Sequence, residues 1–375
     1  MKPELSIVLP CRNEEQALSH CLTKIKEVIA KNKINAEIIV SDSSTDKSPE
    51  IVKNHDARLV KHNKEGYGIA CLEGFKAAKG EYIFFADCDG TYNFEDIPKF
   101  LKYLKQGYDI VIGNRFEGNL EKGAMPWSHR YIGSPILSFL FRIFFDSKVR
   151  DINSGMRAIS KAALKKLNLR TAGMEFASEM LIKAVKKNLK IKELPVNYYS
   201  RKGDSKLRTF RDGWRHLRFM LLYSPLFLFL IPGIALSLIG LVSIILLYLN
   251  KLVFLGINFD YHPMFLSALL LIIGYQLIIF AFFAKTYAMT HFGENSYLIK
   301  FLHKHITIEK AGISGIIMVL FGLTIYLLIF NNWLNTGFGE LQEIKNSIIA
   351  LTLITIGIQT IFSSFMLSIL GIKEK

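Results

Sequence analysis

Lysine, arginine, aspartate and glutamate are all missing from four stretches in the second half of the chain, residues 219–250, 261–284, 311–339 and 346–372. Each exceeds the roughly 20 apolar residues that a helix needs to cross a hydrocarbon core. One such run is compatible with a helix buried in a soluble core, but four in succession define a membrane-embedded region. Lipid offers no hydrogen bonds to an open backbone, so this region must be helical. The first run, 32 residues, would reach about 48 Å as one helix, too long for a single upright span. Ser224-Pro225 reads as an N-cap followed by proline at the first helical position, which leaves Phe219 to Tyr223 at the interface. Pro232 is expected to kink the span that follows. The expected spans are about 225–249, 263–284, 311–331 and 347–370.

Charge follows the same division. Up to Met220 the chain holds 39 Lys+Arg and 26 Asp+Glu, and the last 155 residues hold 8 and 6, so the net +15 splits into +13 and +2. The densest basic cluster, Arg201, Lys202, Lys206, Arg208, Arg211, Arg215 and Arg218, abuts the first span. A nucleic-acid binder would carry its cations away from the lipid, so nucleic acid is not an expected partner. Lys285, Lys300, Lys304 and Lys310 lie between the second and third spans, and Lys373 and Lys375 lie in the tail, whereas each opposite loop has one lysine, Lys251 or Lys345. That asymmetry predicts that the N-terminal part, the middle loop and the C-terminus are cytoplasmic. The membrane would be the cytoplasmic membrane of a bacterium or archaeon, or the endoplasmic reticulum of a eukaryote. No signal peptide is expected ahead of Leu5, because the apolar run Ser6 to Leu9 is short and Arg12, Glu14 and Glu15 follow it. Cys11, Cys21, Cys71 and Cys88 show no CxxC spacing and are expected as free thiols.

Residues 1–200 alternate short apolar runs with helical patterns. Leu5–Leu9, Glu37–Val40, Arg58–Val60, Tyr82–Ala86 and Asp109–Ile112 read as strands. Between them, Leu18, Cys21, Leu22, Ile25, Val28 and Ile29 fall at helical spacing behind an Asn13/Gln16 capping box. Further helices open at Ser48-Pro49, run from Ile69 to Ala78 before Gly80, and run from Glu95 to Gln106 before Gly107. The alternation predicts an α/β, Rossmann-like fold with a mostly parallel sheet covered by helices on both faces. A basic juxtamembrane segment with interfacial helices, 201–224, then leads to an all-α, four-helix transmembrane region, 225–372.

Ligands of such sheets bind beyond the carboxyl ends of the strands, so the polar residues there are the candidates. Tyr82–Ala86 runs directly into Asp87-Cys88-Asp89, two carboxylates able to share a hard divalent cation. A turn or a helix-capping acid is the plainer reading of the same residues. The second strand ends at Ser41-Asp42, where a carboxylate can meet a base or ribose or simply close an Asx turn. Asn63-Lys-Glu-Gly66-Tyr-Gly68 then opens a helix, and its glycines would let the backbone approach a ligand.

Taken in order, LSIVLPCRNEE, IIVSDSSTD, HNKEGYGIACLEGFKAAKGEYIFFADCDGTY, EDIPKFLKYLKQGYDIVIGNRF, GAMPWSHRYIGSPI, INSGMRAI, GMEFASEMLIKA and GDSKLRTFRDGWRHLRFMLLYSP resemble family 2 glycosyltransferases of the GT-A fold. They resemble most closely the polyprenyl-phosphate sugar synthases, of the dolichol-phosphate mannosyltransferase kind. The resemblance implies that Pro10, Arg12 and Glu14 hold the nucleotide, Asp42 the base or ribose, and Asp87 and Asp89 a Mg²⁺ or Mn²⁺ ion with the diphosphate. It also implies that Arg115, Arg130 and Ser134 grip the acceptor phosphate and that Arg201 and Lys206 close on the phosphates. Two positions depart from the family pattern. Ser41-Asp42-Ser43-Ser44 replaces the common Asp-Asp-Gly-Ser, and Thr91 stands where some relatives place a metal-binding glutamine.

The implied reaction is inverting transfer of a hexose from a nucleotide-diphosphate sugar, GDP-mannose or UDP-glucose, to a polyprenyl phosphate. UDP-N-acetylhexosamines fit the same motifs, and a homo-oligomer is left open. Ile136, Leu137, Phe139, Leu140, Ile143 and Phe144, broken by Arg142, form an apolar face suited to the headgroup layer or to the core. Glu175 and Glu179 read equally as helpers of the site and as solvated helix charges. Asp151, Ser154 and Gly155 are candidate lining residues. A processive polysaccharide synthase would carry Gln-x-x-Arg-Trp, which does not occur here. A catalytically silent membrane scaffold or lipid-transport partner is the alternative from another class, and intact Asp87, Asp89, Arg115 and Arg130 argue against it.

Overall fold

The computed structural model describes residues 2–203, 209–251, 253–254, 257–258, 261–292, 308–339 and 341–371. The chain divides into two units, Met1–Tyr223 and Ser224–Lys375. In the first the order is β1 (Leu5–Cys11), α1 (Glu15–Lys31), β2 (Ala36–Asp42), α2 (Ser48–Asn54), β3 (Arg58–Lys61), α3 (Tyr67–Ala77), β4 (Tyr82–Phe85) and α4 (Ile97–Lys105). There follow β5 (Ile110–Asn114), α5 (Ser134–Phe145), β6 (Arg157–Ser160), α6 (Lys161–Leu167), α7 (Phe176–Lys186), β7 (Ile191–Pro195) and α8 (Thr209–Tyr223). A 3₁₀ turn at Phe94–Asp96 precedes α4, and a π turn at His129–Gly133 precedes α5.

The strands form one sheet in the order β3-β2-β1-β4-β6-β5-β7. All pairings are parallel except those of β6, which runs antiparallel to β4 and β5. The mostly parallel α/β fold expected from the sequence is therefore present. Strands β6 and β7 are additions to that reading. Arg157 interrupts the apolar pattern of β6 and hides it, yet this arginine is fully buried. Its Nε donates to Ser154 O at 2.9 Å, Nη1 to Ala177 O at 2.8 Å and Nη2 to Ile152 O at 2.6 Å. Three carbonyls thus satisfy a cation that would otherwise be unaffordable in a core.

The period of two along each strand sorts side chains between the two faces. Ile7 and Leu9 pack with Leu18 and Leu22 of α1 and Phe100 of α4, whereas Val8 packs toward Phe75 of α3. Phe84 meets the edge of Phe100 at 5.4 Å on one face, and its neighbour Phe85 meets Phe75 at 5.0 Å on the other. Each such buried phenylalanine contributes roughly 1.5–3 kcal/mol. The expected capping box does not form. Helix α1 starts one residue late behind Glu14, and Asn13, with φ +53°, accepts the Thr45 N–H at 2.8 Å instead. That bond ties the end of β1 to the loop after β2.

The second unit contains a π turn at Leu226–Leu230, α9 (Ile231–Tyr248), a small hairpin of β8 (Val253–Phe254) and β9 (Ile257–Asn258), α10 (His262–Phe292), α11 (Ile308–Asn335) and α12 (Ile344–Gly371). Four stretches are long and apolar enough to span a membrane: Leu226–Tyr248, His262–Thr290, Glu309–Asn335 and Ile344–Gly371. The irregularity expected at Pro232 takes the form of the π turn just before it, the kind of adjustment a missing N–H calls for. Small residues bring α11 and α12 together: a Cβ on Gly315 or on Gly357 would lie 2.7 Å from the other's carbonyl oxygen. The hydroxyls of Tyr275 and Thr360 share a hydrogen bond at 2.6 Å between α10 and α12.

Candidate active site

A cavity of about 410 Å³ opens at the carboxyl ends of β1 and β4, where a sheet of this kind presents its ligand site. Pro10, Arg12, Glu14, Gly66, Asp87, Asp89, Arg115 and Arg201 all stand on its wall. Asp42, Asn63, Arg130 and Ser134 do not, and Lys206 lies outside the described residues.

Strand β4 delivers the two acids. Asp89 accepts the Thr91 N–H at 3.1 Å and the Thr91 hydroxyl at 2.5 Å on Oδ1, leaving Oδ2 toward Arg201 Nη1 at 3.4 Å. Thr91 therefore orients an acid. Asp87 lies against Gly155, where a Cβ would stand 2.1 Å from Oδ2, so only glycine fits beside it. Burial, with the Asp89 charge next to it, pushes the Asp87 carboxyl up to about 7, while Arg201 and Arg115 pull the other way. A cation between the two acids would favour both as anions. Their hard oxygen donors suit Mg²⁺ or Mn²⁺, which are commonly held by one or two carboxylates with substrate phosphates and water completing the shell. No group of three or more His, Cys, Asp or Glu able to hold a metal occurs among the described residues, so the remaining positions would fall to those oxygens.

The basic residues are fixed by partners. Arg115 donates from Nε and Nη2 to the two Asp151 oxygens at 2.8 Å each, and its backbone N–H donates to the same carboxylate at 3.1 Å. Burial would weaken the Arg115 charge, but Asp151 outweighs it and holds the guanidinium well above its usual pKa. The Nε/Nη2 edge of Arg115 is thus taken by Asp151, which leaves the Nη1 edge for a ligand, with the Tyr198 ring 5.3 Å away. Arg201 donates to Glu14 at 2.5 Å, and its Nε is buried without a partner. Arg12 pairs with Glu65 at 2.6 Å in an exposed position. Ser134 is buried at the start of α5, and Arg130 lies over the Tyr131 ring at 5.2 Å.

Three loop arrangements complete the wall. A Cβ on Gly66 would stand 2.3 Å from Ala172 O, and one on Gly68 would stand 2.2 Å from Thr171 O. These glycines admit the protein's own 171–172 segment, and Gly66 also stands on the cavity wall. Glu179 anchors that segment, accepting from Arg170 N, Thr171 N, Thr171 Oγ1 and Lys183 Nζ, so it is no solvated helix charge. Asp42 accepts from Ser44 N and Oγ on Oδ1, in the Asx-turn manner, and its Oδ2 is buried without a partner.

The sequence profile of Glycosyl transferase family 2 matches residues 6–168, and that of the Glycosyltransferase family 2 C-terminal transmembrane region matches residues 282–371. The low-salt glycan biosynthesis hexosyltransferase Agl6 of Haloferax volcanii is 36% identical over 370 residues, covering 98% of this chain and 89% of that protein. This chain is a family 2 glycosyltransferase. The glycosyltransferase is also similar to the dolichyl-phosphate hexose transferase of the same organism, 32% identical over 212 residues, 56% of this chain and 89% of the relative. Among solved structures, glucosyl-3-phosphoglycerate synthase from Mycobacterium tuberculosis, in complex with Mn²⁺, UDP and glucosyl-3-phosphoglycerate, superposes with a TM-score of 0.50. At 20% identity over 59% of this chain and 80% of that one, the likeness is one of fold. The family makes the protein an enzyme that transfers sugar from a nucleotide-sugar donor, and its long apolar helices make it an integral membrane protein.

Several wall residues of this glycosyltransferase escaped the sequence reading: Tyr67, Asn153, Tyr198, and Arg211, Asp212 and Arg215 of α8. Although the basic cluster abuts the first span, its Arg211 and Arg215 line the cavity. Their spacing of four, opposite the inward-facing His216 and Met220, was the available signal. The apolar stretch of α5 also divides. Leu137, Phe141 and Phe145 enter the core, whereas Ile136, Phe139 and Ile143 face outward with Trp127, 67% exposed, and Tyr131.

Proposed function

We propose that this glycosyltransferase moves a hexose from GDP-mannose or UDP-glucose to a polyprenyl phosphate, with inversion at the anomeric carbon. The observation that carries the reading is the meeting of Asp87 and Asp89 with several guanidinium groups around one cavity, in a chain with membrane-spanning helices. A phosphate monoester has a second pKa of about 6, so the lipid acceptor is largely dianionic at pH 7 and attacks without a general base. Consistent with that, no histidine lines the cavity among the described residues. The protein's work is then alignment and charge neutralisation.

Asp87 and Asp89 would hold Mg²⁺ or Mn²⁺, which when bound offsets the charge of the departing diphosphate. Arg201, braced by Glu14 and Asp89, lies against the same phosphates. Pro10, Arg12 and Gly66 border the nucleotide, and the unpartnered Asp42 Oδ2 behind them supports its ribose or base. Asn153 Oδ1, also buried and unpartnered, is available to a sugar hydroxyl. Arg130 and Ser134, around the start of α5 and off the cavity wall, would take the acceptor side. The outward residues Trp127, Tyr131, Ile136, Phe139 and Ile143 lie in the headgroup layer. Lys285 and Lys310, against Lys251 and Lys345, favour a cytoplasmic catalytic unit.

The test supplies purified full-length protein with polyprenyl phosphate, Mg²⁺ or Mn²⁺, and each labelled nucleotide sugar in turn. Organic-extractable label is expected with one donor and should vanish on chelation. No lipid-linked product with any donor would leave the scaffold reading standing.

A further inference from the structure

Four guanidinium groups besides Arg115 reach the cavity, and they are unequally engaged. Arg12 holds Glu65 at 2.6 Å, and Arg201 holds Glu14 at 2.5 Å and Asp89 at 3.4 Å. On α8 the nearest carboxylate to Arg215 is Asp212 at 3.6 Å, beyond hydrogen-bond reach, and Arg211 makes no ion pair among the described residues. These two arginines stand one helical turn apart and present the same face. The opposite face of α8 is docked on the catalytic unit. His216 Nδ1 and Ser178 Oγ share a hydrogen bond at 2.7 Å with α7, and Met220 is buried in the core beneath the sheet. The helix is therefore held so that Arg211 and Arg215 line the cavity, while Arg218 on the same helix is exposed away from it. Trp214, between them in sequence, is 58% exposed and gives the same helix an apolar surface.

We infer that Arg211 and Arg215 grip the phosphate of the lipid acceptor and so select a phosphorylated prenyl chain over the free alcohol. The inference rests on the proposed function. A dianion brought beside a diphosphate needs cations of its own, and paired guanidinium forks match its oxygens. Arg115 has its Nε/Nη2 edge on Asp151 and keeps only its Nη1 edge for the same phosphate, so Arg211 and Arg215 add the further forks. Asp212, on the same turn, offsets part of their charge.

The test is equilibrium binding to full-length protein in neutral detergent, with undecaprenyl phosphate, undecaprenol, phosphatidylglycerol and UDP or GDP as separate probes. Wild type should prefer the phosphate to the alcohol. Arg211→Gln with Arg215→Gln should cut that preference about tenfold or more while nucleotide affinity holds within about twofold. Arg211→Lys with Arg215→Lys should recover part of it. An unchanged preference in the glutamine variant overturns the inference, as does equal binding of phosphatidylglycerol by wild type. Parallel loss of nucleotide binding also overturns it, because α8 would then serve the donor or the fold. A wild type without any preference for the phosphate overturns the proposed function itself.

Discussion

The cavity has two walls of different construction. On the strand-end side, charge is locked in place: Arg115 by Asp151, Arg201 by Glu14 and Asp89, and Asp89 by Thr91. On the α8 side, Arg211 and Arg215 project from a helix held by apolar contacts, a neutral Ser178–His216 bond and Lys186 on the terminal Tyr223 carbonyl. A locked wall suits a ligand of fixed shape, such as a nucleoside diphosphate with its cation, because it needs no reorganisation on binding. A wall whose two arginines are not locked in close carboxylate pairs suits a phosphate at the end of a long, variable chain.

Breaking the locks should have the largest effect. Asp151→Ala leaves the Arg115 guanidinium buried and unpaired, with an expected loss of about 3–5 kcal/mol in stability, read from denaturation midpoints. Asp89→Ala leaves the fold intact but should lower turnover about a thousandfold, together with the response to added Mg²⁺ or Mn²⁺.

Acid should act on the two walls in opposite directions. The Asp87 carboxyl, raised to about 7, contributes stability in its protonated form, which is lost as pH rises through 7. His216 is pushed down to about 4, first by burial and then by Arg157, against the opposing charges of Asp212 and Glu175. It must therefore stay neutral, and its contribution is lost as pH falls from 6.5 toward 4, by about 3 kcal/mol in all. Thermal unfolding of Asp87→Asn and His216→Gln across pH 4–8 separates the two: the first removes the rise toward acid, the second removes the fall. If both variants titrate like wild type, the contrast between the walls fails. A smaller effect is expected from Gly68→Ala, whose new methyl meets Thr171 O at 2.2 Å. Displacing that segment should cost roughly 1–3 kcal/mol and raise the donor KM.

Much of this was legible in the residues. The uncharged runs announced the spans, and the alternation of strand and helix announced the sheet, because both are written in hydrophobic period. Asp87 and Asp89 were legible because two acids follow a buried strand directly. What stayed hidden depended on distant partners. Arg157 reads as a surface charge until three carbonyls, from Ile152, Ser154 and Ala177, are found around it. Gly66 and Gly68 also admit a backbone more than 100 residues later in the chain, which no local pattern reveals. Arg115 looks free until Asp151 folds against it. Arg211 and Arg215 sit in a basic cluster next to the first span, and only the docking of His216 reveals which way the helix faces.

The anomeric configuration and linkage of the product give the most direct test of the central claim. Wild-type protein would be supplied with undecaprenyl phosphate and an α-linked nucleotide hexose, and the purified lipid examined by ¹H and ³¹P NMR. A β-linked glycosyl phosphodiester is the expected result. An α-linked product, or a sugar attached anywhere but the lipid phosphate, would contradict a single in-line displacement by that phosphate.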